Sequence, residues 1–155
     1  EKVIVATNGY TDHLVAGLKR SVLPLTSIQI ATEPLEEDRL AALCPEGHTI
    51  SDTRRLIMYC RREPGRQFIY GGMGYRTPTG GVGGWSWLYK DAARIFPGLK
   101  GVKWSYRWGG TVALTPERVP HLFEPQSGLI CGLGYNGRGV AMSLVMGREM
   151  ARRAG

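Results

Sequence analysis

The chain has 155 residues, 43% of them hydrophobic and 21% charged, with a formal net charge of +7. This suffices for one good core, while no apolar run approaches the roughly 18 residues of a transmembrane helix. The basic residues are scattered in short pairs such as Arg54-Arg55, Arg61-Arg62 and Arg152-Arg153, so no stripe points to a nucleic-acid partner.

Val3 to Ala6 is a continuous apolar run, the pattern of a strand buried on both faces, and Thr7-Asn8-Gly9-Tyr10 closes it as a turn. The chain enters this strand with no methionine and no signal-peptide layout. The expectation is a piece of a longer protein, cut just before an interior strand. Residues 21–32 are β-rich, Ile28, Ile30 and Thr32 alternating with Gln29 and Ala31, and Pro24 suggests an edge or a bend. Residues 36–43 read as a short helix with acids in its first turn. Residues 56–62 and 67–72 flank Glu63-Pro64-Gly65-Arg66 and read as a hairpin. The glycine-rich stretch 71–84 lacks the Lys-Ser/Thr ending of a phosphate-binding loop and reads as a flexible connection.

Residues 85–96 place Trp85, Leu88, Tyr89, Ala92 and Phe96 on one helical face, and Pro97-Gly98 stops the helix. In the next strand, 103–112, Trp104, Tyr106 and Trp108 alternate with Lys103, Ser105 and Arg107. Such a row fits a platform for a flat ligand; the expectation is one face packed into a core. A last strand, 128–133, and a helix, 136–153, complete the chain. Cys44, Cys60 and Cys131 have no metal spacing and lie in apolar surroundings, as buried free thiols of a reducing compartment, the cytoplasm, would. His13, His48 and His121 are far apart, so no metal site is expected.

Gly132-x-Gly134-x-x-Gly137 follows an apolar strand and opens a helix, as a dinucleotide-binding fingerprint does. That fingerprint needs a βαβ unit of about thirty residues and a later acid for the ribose. Only residues 138–155 follow, and their one acid, Glu149, lies inside the helix. Asn136 reads as the helix N-cap, leaving the amides of Gly137, Arg138 and Gly139 free at the positive end of the dipole. Gly139, Ser143 and Gly147 form a bare stripe. The stripe fits tight packing of helix on sheet and equally a ligand edge resting on the helix N-terminus.

Four stretches occur in the order VIVATNGYTDHL, SDTRRLIMYCRREPGRQFIYGG, WGGTVALTPERVPHL and GLGYNGRGVAMS. Together they resemble the C-terminal part of the FAD-dependent amine and amino-acid oxidoreductases, the D-amino-acid oxidase and glycine/sarcosine oxidase superfamily. The likeness is greatest to the gamma-glutamylputrescine oxidase branch. It implies an α+β (α/β) fold: an antiparallel β substrate-binding domain, plus the C-terminal strand and helix of a Rossmann-like FAD-binding domain whose N-terminal half is missing. Residues 1–19 and 106–155 would belong to the FAD-binding domain and 20–105 to the substrate domain.

The resemblance implies FAD-dependent oxidation of the C–N bond of an amine or amino acid by hydride transfer to flavin N5. Ala6, Thr7 and Asn8 would follow a strand of the FAD-binding domain and run past the cofactor, which would lie against Ala6, Thr7, Gly109, Gly134, Asn136, Gly137, Arg138 and Gly139. Some members tether the flavin through a cysteine shortly before a Thr-Pro like Thr115-Pro116. Here that neighbourhood reads Trp108-Gly109-Gly110-Thr111, so FAD is expected to be non-covalent. Arg54 and Arg61, expected in the substrate-domain strands with Tyr59 nearby, are the candidates to hold a small-molecule substrate, because an arginine grips a carboxylate in bidentate fashion. His121 is a further group that could lie near the ring, and no catalytic residue stands out. Two rivals remain: an inactive folded fragment, self-associating through surface left by the missing half, and a ligand-binding module built on the aromatic row.

Overall fold

The computed structural model describes residues 1–155. In chain order the strands and helices are β1 (Val3–Val5), β2 (Leu23–Thr32), α1 (Glu37–Leu43), β3 (Ile50–Ser51), β4 (Tyr59–Arg62), β5 (Phe68–Arg76), β6 (Val82–Gly83), α2 (Trp85–Ile95), β7 (Trp104–Leu114), β8 (His121–Gln126), β9 (Leu129–Leu133) and α3 (Gly139–Ala154). Two compact units share them, residues 26–110 in one and residues 1–25 with 111–155 in the other. The sequence placed its limits at 19/20 and 105/106; the compact units change within β2 and β7.

The unit of residues 26–110 is built on a sheet in the order β3-β4-β5-β2-β7, with β6 added to β5. β4, β5 and β2 pair antiparallel, with Cys60 opposite Tyr70 and Tyr70 opposite Ile30. One face of this sheet carries Ile28, Ile30, Cys60, Phe68 and Tyr70, all buried under α1 and α2 through Leu40, Leu43, Leu88 and Ala92. Phe96 meets the Phe68 ring edge-on at 5.2 Å and the Tyr70 ring at 6.2 Å. Glu63 and Arg66 close the expected hairpin, with Arg66 in the left-handed region at φ 62. Pro24 is tolerated because it precedes Thr26, the first residue of β2 in register with β5.

Three expectations change here. The stretch 71–84 is not a loose connection: β5 runs on to Arg76, a tight turn closes on Thr77, and β6 returns. The aromatic row splits, Trp104 packing into the core against Tyr89 at 5.7 Å while Tyr106 and Trp108 remain exposed. With Ala31, Ile69, Gln67 and Glu63 those two aromatics line a shallow depression on the sheet's other face. Arg54 lies in the loop between β3 and β4, not in a strand.

The second unit holds a three-stranded sheet, β1-β9-β8, in which β1 and β9 are parallel and β8 is antiparallel to β9. The sequence did not mark β8. Ile130 on one face packs under Tyr135, Met146 and Met150 of the closing turn and α3. Val5, Cys131 and Leu133 on the other meet Leu18. Cys44, Cys60 and Cys131 are free and buried.

Candidate functional site

Because β1 and β9 are parallel, their carboxyl ends emerge at the same edge, the side on which open α/β sheets place ligands. Ala6, Thr7 and Asn8 leave β1 there, and Gly134 to Arg138 leave β9 there. The Asn8 side chain joins them: its Oδ1 accepts the amides of Gly134 at 3.0 Å and Tyr135 at 3.4 Å. The Thr7 hydroxyl lies 2.6 Å from that of Thr11. The resemblance runs Ala6, Thr7 and Asn8 past the cofactor but counts only Ala6 and Thr7 among its contacts. The signal available for a linking role was the turn dipeptide Asn8-Gly9, whose asparagine here takes the left-handed φ 44.

Gly134 turns at φ 79, where a side chain would be strained and its Cβ would strike the Thr115 methyl. Asn136 is not the helix N-cap. It adopts φ 53 and turns its side chain to the end of β7, its Oδ1 accepting the Thr115 amide at 2.8 Å and its Nδ2 donating to the Thr115 hydroxyl at 3.1 Å. The Asn136 amide donates to the Ala113 carbonyl at 3.0 Å.

The N-cap is Arg138, with no side-chain cap, and α3 starts at Gly139. The Arg138 amide bonds the Tyr135 carbonyl at 2.9 Å and its guanidinium bonds the Arg118 carbonyl. The amides without an acceptor are therefore those of Gly139, Val140 and Ala141, two residues later than the sequence suggested. No atom lies within 4 Å of the space a Cβ on Gly137 would fill, and only Tyr135 lies within 4 Å of one on Gly139.

Val140 and Leu144 are 96% and 81% exposed and Ser143 is exposed, while Met146 and Met150 face the sheet. The bare stripe therefore is not the packing face of α3 in this unit. His121 opens β8 opposite Leu133, with Nε2 3.3 Å from the Glu117 carboxylate yet without a hydrogen bond.

The residues present fit one part of a flavin. Three uncapped amides at a helix N-terminus, with open space over Gly137, suit the electronegative pyrimidine edge of the ring.

In the other unit, Gln29, Gly71 and Tyr59 form one row across β2, β5 and β4, and Ala31, Ile69 and Arg61 form the next. Both rows lie on the face away from the helices. Gly71 has no side chain because the Tyr59 ring lies over it, which lets the Tyr59 hydroxyl reach Ser27 Oγ at 2.7 Å. Arg61 Nε donates to Glu63 at 2.6 Å and the arginine side chain keeps 43% of its exposure.

Arg54 is differently engaged, its guanidinium held by Asp52 and, at 2.9 Å, by Asp91. Gly109 lies in β7, where Ser27 O and Val82 Cγ1 would each stand 2.9 Å from its Cβ. Close packing against β2 and β6 is one reason for a glycine there.

Residues 1–153 match the family described as FAD dependent oxidoreductase. The chain belongs to this family. "Gamma-glutamylputrescine oxidoreductase" of Escherichia coli is 33% identical over 153 residues, covering 96% of this chain and 35% of that protein. A Haemophilus influenzae protein named "Probable oxidoreductase OrdL" is 30% identical over 155 residues, covering 97% of this chain and 35% of its own length. The chain thus spans about a third of the curated relatives it matches.

Among solved structures, glycine oxidase from Bacillus cereus superposes with a TM-score of 0.70 at 20% identity, covering 97% of this chain and 42% of that one. Iminodiacetate oxidase from Chelativorans gives 0.70 at 18% identity, covering 97% and 41%. At such identities the likeness shows the fold: an antiparallel sheet domain joined to a parallel strand pair and helix of the FAD-dependent oxidases. No helix of this FAD dependent oxidoreductase chain is long and apolar enough to cross a membrane.

Proposed function

We propose that the chain is the C-terminal part of an FAD-dependent oxidoreductase that oxidises the C–N bond of an amine or amino acid. The observation that carries this reading is the set of uncapped amides at Gly139, Val140 and Ala141, standing at the carboxyl ends of β1 and β9 in a chain of this family. Hydride acceptance at N5 is the chemistry a bound, non-covalent flavin supplies. The amides and dipole of α3 stabilise negative charge on the ring edge, with Ala6, Thr7, Gly134, Asn136, Gly137, Arg138 and Gly139 forming the surface around it. Residues 1–19 and 106–155 serve the cofactor in this reading, and residues 20–105 the substrate.

The substrate lies on the uncovered sheet face. There Arg61, only partly engaged by Glu63, holds a carboxylate, and Tyr59 lines the approach. Arg54 is the weaker candidate because two carboxylates already hold its guanidinium. Similarity to the Escherichia coli relative supports an amine of the gamma-glutamylputrescine kind, and three buried free thiols suit a cytoplasmic setting. Expressed alone, the chain is a folded fragment without activity that self-associates.

The test is anaerobic addition of amines and amino acids to the flavin-loaded full-length protein. Loss of the oxidised flavin absorbance with an amine is the expected result. A loaded protein that every amine leaves oxidised, and that another class of donor reduces, overturns the reading.

A further inference from the structure

Three chain segments meet at the carboxyl edge of the β1–β9 pair, and side chains join them. Asn8 takes the amides of Gly134 and Tyr135 on one flank of the turn after β9. Asn136 reaches Thr115 on the other flank, and the Thr115 hydroxyl continues to the Val119 carbonyl at 2.9 Å. Both asparagines sit in the left-handed region, at φ 44 and φ 53, where asparagine is among the few side chains that settle. The strand exit itself is held as well: the Tyr10 amide bonds the Thr7 carbonyl at 2.9 Å, and the Tyr10 hydroxyl accepts the Thr111 amide at 3.2 Å. Gly134 and Tyr135 are buried residues, so an amide there that loses Asn8 forfeits a hydrogen bond in a largely desolvated place.

We propose that Asn8 is a positioning residue for the cofactor: by accepting two consecutive amides, it locks the turn at residues 134–138 to the β1 exit and fixes where that surface meets the flavin. Asn8 acts through this turn and touches no reacting atom. The inference rests on the flavin reading above. It assigns a task to a residue whose position next to a turn glycine otherwise reads as mere turn chemistry. Among the groups at this edge, Asn8 is the one whose side chain spans from the exit of the first strand to that of the last, so losing its oxygen unlinks the two exits while the β1–β9 ladder stays. Without the Asn8 oxygen, two buried amides lose their acceptor, and the turn relaxes toward solvent to regain one.

The experiment uses the full-length protein as wild type, Asn8→Gly and Asn8→Asp. Glycine adopts φ 44 without strain, so the first variant removes the acceptor and spares the backbone. Aspartate keeps both the acceptor and the tolerance for this conformation. FAD affinity, the midpoint potential of bound flavin and thermal unfolding of the apoprotein are measured for each.

Asn8→Gly is expected to weaken FAD binding about tenfold, as loss of one to two hydrogen bonds does, and to shift the midpoint potential of the flavin that remains. Asn8→Asp should bind FAD close to wild-type affinity. Wild-type affinity and potential in Asn8→Gly overturn the proposal, whatever its melting temperature, because a purely structural role lowers that temperature alone. Equal losses in Asn8→Asp and Asn8→Gly overturn it too, since the acceptor is then not what matters. A wild-type protein that takes up no FAD overturns the flavin reading and this inference together, which separates that failure from the other two.

Discussion

Asp91 sits on the buried side of α2 and accepts hydrogen bonds from the Tyr70 hydroxyl at 2.6 Å, Arg54 at 2.9 Å and Arg94 at 2.7 Å. Burial by itself raises a carboxyl pKa; the bonds from Arg54, Tyr70 and Arg94 outweigh it and hold Asp91 at about 2. A folded pKa below the unfolded value of about 3.9 means stability present above pH ~4 and lost as pH falls toward ~2. The linked contribution is on the order of 2–3 kcal/mol. Asp91→Asn should therefore lower the unfolding temperature at pH 7, by roughly 5–10 °C at this chain length, and flatten the acid limb of the stability–pH curve between pH 4 and 2. A mutant whose acid limb matches that of the wild type would assign that limb to other carboxylates. Nothing in the sequence announced this network. Arg54 stood out as an arginine in a substrate domain, but its partner Asp91 lies 37 residues away on a helix read only for its apolar face. Arg61 and Tyr59, by contrast, lie on the uncovered face because strand alternation, with Cys60 in the core, sends them there.

At the scale of elements, strands and helices with long apolar periods were legible, α2 almost to the residue. Where one element hands over to the next, side-chain bonds decided instead. Asn136 has the composition of an N-cap, yet Thr115 claims its side chain, and α3 begins at Gly139. Trp104, Tyr106 and Trp108 have perfect period-two spacing and still divide between core and open face. The shape of α3 carries a prediction. A Cβ at Gly139 would meet only Tyr135, at 3.6 Å, an ordinary contact, and leucine has the better helix propensity by several tenths of a kcal/mol. Gly139→Leu in the full-length protein should leave apoprotein unfolding near wild type while lowering flavin occupancy and shifting the potential of what remains, because the side chain projects over the uncapped amides. Intact occupancy beside a destabilised apoprotein would place protein, not cofactor, against this helix end. A control at Gly132 should do the reverse: Met150 Sδ stands 2.6 Å from a Cβ there, so a side chain makes the buried Met150 shift and lowers apoprotein stability while flavin occupancy stays.

At the scale of the whole chain, what is uncovered matters as much as what is built. Parallel strands are ordinarily covered on both faces, but Val3 and Ile4 of β1 are 54% and 43% exposed. β1 has β9 as its sole strand partner and so offers an open edge. The outer side of α3 presents Val140, Leu144 and Val145 to solvent. Relatives about three times as long supply further chain beyond the matched third. The flavin-directed groups in these 155 residues address the ring edge, whereas the phosphates of FAD need a glycine turn and helix N-terminus within a βαβ unit. Two outcomes are expected of the chain expressed alone. It should bind FAD at least a hundredfold more weakly than the full-length protein, since about 3 kcal/mol or more of charge-assisted hydrogen bonding to the phosphates is lost. Its sedimentation should show association that grows with concentration and weakens when Leu144 is replaced by lysine, because the exposed apolar surface finds itself in another copy. A concentration-independent monomer that takes up one FAD with full-length affinity would mean that these residues suffice for the cofactor, and that the open edge of β1 and the outer face of α3 are stable against water as they stand.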